Sequence, residues 1–237
     1  MEREELWSGG PRFQQTAHFR LGTDSILLAD FAVKPGAARG VDLGCGSGIL
    51  ALLLLEKTPR LHMTGLELQE TALAVARENI AQNALDKRFT PVCGDWRQVR
   101  DRFRSGSFDL AVCNPPYFAA GSGALPPDPA RAAARAETDG GLSELVQAAA
   151  WLLHTGGSLF LCYRPERLSE LFVCLSGHGL EPKRLRLVCH RADSAPSLAL
   201  VEARRGGRIG LRVEKSLVLF DENDAESAEY RRIYHRA

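Results

Sequence analysis

The stretch Val112-Cys113-Asn114-Pro115-Pro116-Tyr117-Phe118 follows an apolar run that is patterned as a β-strand, and its two prolines and asparagine do not extend that strand. It offers two hydrogen-bond acceptors in succession, the side-chain oxygen of Asn114 and the backbone carbonyl of Pro115, and then two aromatic rings. Because Pro115 and Pro116 fix φ at about −65°, those acceptors are held in place before any ligand arrives. One NH2 group has two hydrogens to give them, and Tyr117 or Phe118 can stack on the flat system that bears it.

A second constellation lies upstream. Val41 to Gly48 reads VDLGCGSG, a strand carrying Asp42 that runs into glycines at Gly44, Gly46 and Gly48 and then into a helix. Glycines there let the backbone turn sharply and come close to a ligand at the free N–H groups of the helix start. A glycine-rich turn alone is equally a tight connection with no ligand. Two further strand ends favour a site. Glu67, followed by Leu68, is spaced to take the two hydroxyls of a ribose, and Asp95-Trp96 pairs an acceptor for an adenine amino group with a ring that can cover it. The third glycine comes one residue early for the dinucleotide fingerprint G-x-G-x-x-G.

These residues need a scaffold that brings strand ends together. From Val41 onward apolar runs alternate with amphipathic ones, which predicts an α/β fold with a mostly parallel seven-stranded sheet and helices on both faces. The strands are GVDLG, HMTGLEL, RFTPVCGD, FDLAVCN, SLFLCY, KRLRLVCH and SLALVEARR. The helix LSELVQAAAWLLHTGG is expected to stop at its glycine pair, and another helix is expected after a cap at Thr23 or Asp24. GSGALPPDPARAAARAE reads as a long loop leading into a short alanine-rich helix, so 119–136 is expected to act as a lid. One domain is expected over 1–237, with an N-terminal segment 1–40, a core 41–215 and a C-terminal tail 216–237.

Composition narrows the partners. A net charge of +1 over 237 residues excludes an overall basic coat, so nucleic-acid contact would need a local patch. No window reaches the length of a membrane span and the N-terminus lacks a signal-peptide pattern, which predicts a cytoplasmic protein with no membrane partner. The six cysteines form no C-x-x-C pair and the six histidines show no metal spacing, so reduced core thiols and no metal are expected.

Asp42-Leu43-Gly44-Cys45-Gly46-Ser47-Gly48 resembles the glycine-rich motif of class I S-adenosylmethionine-dependent methyltransferases, with their Rossmann-like fold. Asn114-Pro115-Pro116-Tyr117 resembles the NPPY motif of those that act on planar, conjugated nitrogens. This resemblance implies S-adenosyl-L-methionine as cofactor, held by Asp42, Gly44, Gly46, Gly48, Glu67, Leu68, Asp95, Trp96 and Asn114. It also implies methyl transfer at Asn114 to Tyr117. The amine's lone pair is delocalised, and two acceptors on its hydrogens favour the pyramidal form that attacks. Segments Phe19 to Phe31, Tyr163 to Leu168, Leu180 to Val188 and Val218 to Asn223 resemble the bacterial valine-tRNA adenine-N6 methyltransferases. That implies methylation of the adenine beside the anticodon, and it implies that Thr23 and Asp24 lie near the methionine end of the cofactor.

The same motif serves enzymes acting on rRNA or DNA adenine or on protein glutamine, and a non-catalytic RNA-binding module of this fold is a further alternative. From Glu181 to Lys215 nine cations stand against four carboxylates, which predicts a phosphate-tracking surface for the tRNA anticodon stem-loop through Arg184, Arg186, Arg204 and Arg205. Arg131 and Arg135 on the lid would add contacts. Oligomeric state is left open between a monomer and a weak dimer.

Overall fold

The computed structural model describes residues 3–14, 21–115 and 141–236. β1 (Arg3–Glu5) and β2 (Arg12–Gln14) form a separate antiparallel hairpin. The main sheet contains β3 (Arg39–Leu43), β4 (His62–Glu67), β5 (Phe89–Cys93), β6 (Phe108–Cys113), β7 (Leu153–Tyr163), β8 (Leu180–Cys189) and β9 (Pro196–Arg205). These are the seven strands expected. Two short ones, β10 (Arg212–Val213) and β11 (Leu217–Val218), pair in parallel with the outer side of β8 and raise the total to nine.

The order is β10-β8-β9-β7-β6-β3-β4-β5. β3 to β7 run parallel, and β9 lies antiparallel between β7 and β8. From β3 the chain lays β4 and β5 to one side and then returns to lay β6 and β7 on the other. That reversal opens a crevice at the carboxyl ends of β3 and β6, where ligands bind in open α/β sheets.

Helices cover both faces, because period-two alternation gives each strand two apolar sides. On the first face lie α1 (Thr23–Phe31), α2 (Ile49–Lys57) and α3 (Glu70–Gln82). The second face carries α4 (Val99–Arg102), α5 (Leu142–Leu152) and α6 (Leu168–Gly177). α2 is apolar all round, and Ile49 to Leu55 are all buried between the sheet, α1 and α3. A last helix, α7 (Ala228–Ile233), returns to the first face, with Tyr230, Ile233 and Tyr234 in that core.

Three local expectations are corrected. α5 stops at Leu152 instead of at the glycines, because His154 to Gly157 bulge out between the β6–β7 pairs Phe108–Leu153 and Leu110–Ser158, and Gly156 supplies φ +90° for that turn. Gly22, not Thr23 or Asp24, is the N-cap of α1; it makes no side-chain cap bond, and both residues sit in the first helical turn. The stretch from Ser216, set apart in sequence as a C-terminal tail, packs against the core through α7.

Candidate active site

Strand alternation decides where Asn114 goes. Leu110 and Val112 belong to the first core and Ala111 and Cys113 to the second, so Asn114, next in register, falls on the first face under α1. Its Nδ2 donates to Ser25 Oγ at 3.0 Å, and its Oδ1 accepts from the Cys162 thiol at 2.9 Å. Ser25 comes from the first turn of α1 and Cys162 from β7, where it shares the first face with Phe160. Burial, with Asp24 adding to it, pushes the Cys162 thiol well up, so it remains an S–H donor. Pro115 is buried behind the asparagine.

The glycine loop leaves β3 one strand away. Gly44, Gly46 and Gly48 have φ of +78°, +52° and +77°, conformations that side chains oppose. A Cβ on Gly48 would also stand 3.0 Å from that of Ala76 on α3, and one on Gly44 would stand 3.2 Å from the Trp96 ring. Glu67 braces the loop, accepting from Gly46 N–H through Oε2 and from Gln69 N–H through Oε1, both at 2.9 Å. Asp42 is 1% exposed, and its Oδ2 has no hydrogen-bond partner among the described residues. Burial, and then the neighbouring Glu67, push its carboxyl up to about 8. An unmatched buried carboxyl and a braced loop with glycine at 44, 46 and 48 suit a ligand that comes close to the backbone and carries positive charge.

Asp95 follows β5 and caps the short turn Trp96–Gln98, taking Arg97 N–H at 2.8 Å and Arg97 Nε at 2.7 Å. Partial burial works upward on its carboxyl, but the Arg97 bonds hold it below the usual range. Trp96 is buried in the second core against the glycine loop, while Leu68 is exposed just past Glu67. Thr23 bonds Tyr234 after α7. The structure therefore gathers Asp42, Gly44, Gly46, Gly48, Glu67, Asp95, Trp96 and Asn114 along one edge, with Thr23 and Asp24 beside Ser25. Pro116, Tyr117, Phe118, Arg131, Arg135 and the lid lie outside the described residues.

The four arginines divide: strand register sets Arg186 level with Cys162 through Leu200, and Arg204 and Arg205 at the far end of the sheet. Arg184 is held by Glu202 at 3.2 Å and Glu214 at 2.9 Å, with its guanidinium 4.3 Å from the centre of the Phe31 ring. Arg186 pairs with Glu229 at 2.7 Å. Arg204 pairs with Ser158 and Arg205 with Leu180 in strand register, which places both at the edge opposite Asn114. Arg204 meets Glu202 at 3.4 Å and Arg205 donates to the His178 carbonyl at 2.8 Å. A net count along the sequence does not show these pairings: Arg184 meets Glu202 of β9 and Glu214, Arg186 meets Glu229 of α7, and Arg204 meets Glu202 on its own strand.

Sequence reasoning missed the partners of the motif. Ser25 lies 89 positions from Asn114 and Cys162 lies 48 away, so no local pattern joins them. It also missed Asn79 on α3 and Asn83, the residue that caps its C-terminus, although their i, i+4 spacing is a legible sign of two side chains on one helix face. Asn79 donates to the carbonyls of Ser47 at 2.9 Å and Gln14 at 3.2 Å and accepts from Gln14 N–H at 2.6 Å. Asn83 accepts from Arg12 N–H at 2.9 Å and donates back to its carbonyl at 2.6 Å. Two amides, one on α3 and one at its cap, thus pair with β2 as a neighbouring strand would, and one of them also ties down the glycine loop.

Comparison with known proteins agrees with this geometry. Residues 17–171 match the family described as Methyltransferase small domain. A tRNA1(Val) (adenine(37)-N6)-methyltransferase of Tolumonas auensis is 33% identical over 189 residues, 79% of this chain and 77% of the relative. The protein of that name from Bacteroides fragilis is 32% identical over 183 residues, covering 77% and 76%. Among solved structures, a predicted O-methyltransferase from Agrobacterium tumefaciens superposes with a TM-score of 0.73 at 19% identity, over 90% of this chain and 96% of that one, which bears on the fold alone.

Proposed function

The chain belongs to the methyltransferase small domain family, among the tRNA1(Val) (adenine(37)-N6)-methyltransferases, and from that premise we propose that it methylates N6 of adenine 37 in tRNA, within the anticodon stem-loop. S-Adenosyl-L-methionine, with its ammonium, ribose hydroxyls and sulfonium, fits the carboxyls of Asp42 and Glu67 and the glycine turn at Gly44, Gly46 and Gly48. Bound there, it supplies an electrophilic methyl group.

The observation that carries the reading is Asn114, fixed at the end of β6 beside that loop with a carboxamide oxygen oriented by its neighbours. Asn114 Oδ1 and the Pro115 carbonyl accept the two hydrogens of the adenine amine, favour its pyramidal form and free its lone pair. In sequence the motif continues with Pro116, whose ring restricts its φ, and with Tyr117 and Phe118, one of which is proposed to stack on the base. Extruding a base from a loop costs at most about a few kcal/mol, because it is only partly stacked. With respect to location, among the described residues no helix is long and apolar enough to cross a membrane, and the reading places the enzyme with tRNA in the cytoplasm.

Incubation with labelled methyl donor and separate tRNA, rRNA, DNA and release-factor substrates tests it. Label is expected in tRNA as N6-methyladenosine; label in protein instead rejects the proposal. Asn114→Ala is expected to lower turnover by about 100-fold or more and to leave cofactor affinity within a few fold.

A further inference from the structure

We infer that Ser25 and Cys162 are positioning residues that sort the two ends of the Asn114 carboxamide, turning its oxygen rather than its NH2 toward the amine to be methylated. The inference rests on the catalytic reading of Asn114 and adds two residues to it. A carboxamide has nearly the same shape either way round, yet one end accepts and the other donates. Flipped, Asn114 would present N–H groups to a substrate NH2 and repel it. Its neighbours take opposite roles toward it. Ser25 Oγ takes a hydrogen from Nδ2 at 3.0 Å, and the Cys162 thiol gives one to Oδ1 at 2.9 Å.

Both neighbours are anchored. Ser25 is 7% exposed, and its backbone N–H bonds Gly22 at the start of α1; Cys162 is fully buried within β7. The thiol occupies one lone pair of Oδ1 and leaves the second for the substrate. α1 on one side and β7 on the other thereby set the amide plane. A thiol is the weaker partner, so Ser25 contributes the larger share.

Ser25→Ala removes the acceptor with little change in volume, and Ser25→Thr keeps it. The expected result is a kcat about tenfold or more lower in Ser25→Ala, with KM for tRNA and Kd for the cofactor within threefold, and most of the loss restored in Ser25→Thr. Cys162→Val is expected to lower kcat by less and Cys162→Ser to retain it. In an Asn114→Ala background Ser25→Ala is expected to have no further effect. Unchanged kcat in both Ser25→Ala and Cys162→Val overturns the inference, as does an equal loss in Ser25→Ala and Ser25→Thr. If Cys162→Val fails to fold, the Ser25 pair decides alone. Turnover that survives Asn114→Ala overturns the catalytic reading and this inference with it, whereas turnover lost there but kept in both neighbour variants overturns only the inference.

Discussion

Asp42 shows how one side chain couples the site to the solvent. An unfolded aspartate titrates at about 3.9, while in the fold burial and Glu67 push Asp42 up to about 8. Between those values the folded chain holds a proton that the unfolded chain has released. The stability associated with this group is therefore complete below about pH 4 and is lost as pH rises to about 8. Asp42→Asn keeps the shape and removes the titration. The cofactor-free variant is expected to gain Tm over the parent progressively from pH 5 to pH 8, and melting curves that stay parallel across that range would refute the assignment. On the proposed cofactor reading, a cationic donor reaching Asp42 would displace its proton, and the unmatched Oδ2 would be the atom it meets.

At the level of elements, the hairpin of β1 and β2 is too short to stand alone and depends on α3. Asn79 is fully buried and serves two backbone groups of Gln14 and one of Ser47. Asn79→Ala strands those groups, and the expected loss is about 3 kcal/mol, on the order of 10 °C in Tm for a chain of this size. Hydrogen exchange at Gln14 should quicken first; unchanged protection there would show that the hairpin is held by other contacts. The long strands and helices could be read from the sequence because their periodicities are local, and so could the strand-end acids and glycines. What could not be read are matches made across the fold: Ser25 and Cys162 with Asn114, the asparagines with β2, and the glycines after His154, which serve a bulge rather than a helix stop.

The whole molecule is nearly neutral because its charged segments answer one another. Carboxylates after Ser216 meet cations of β8 and the turn after it in the pairs Arg186–Glu229 and Arg191–Asp224, Arg236 pairs with Glu226 within the C-terminal stretch, and α7 is drawn to α1 by Arg232 and Asp30 at 3.0 Å. Replacing Arg204 and Arg205 together by alanine is therefore expected to leave tRNA affinity and its salt slope within twofold while lowering Tm; a slope reduced by one or more would restore these residues to an RNA surface. The strand order has a further consequence for a chain made from its N-terminus. β9 is the last long strand in sequence, yet it lies between β7 and β8, so β8 has no place on the sheet until Arg205 has left the ribosome. Until then the outer edge of β7, with Leu159 to Leu161 in its row, is open to any other strand, which makes the interval between synthesis of β7 and β9 the period of greatest exposure to aggregation and chaperone capture.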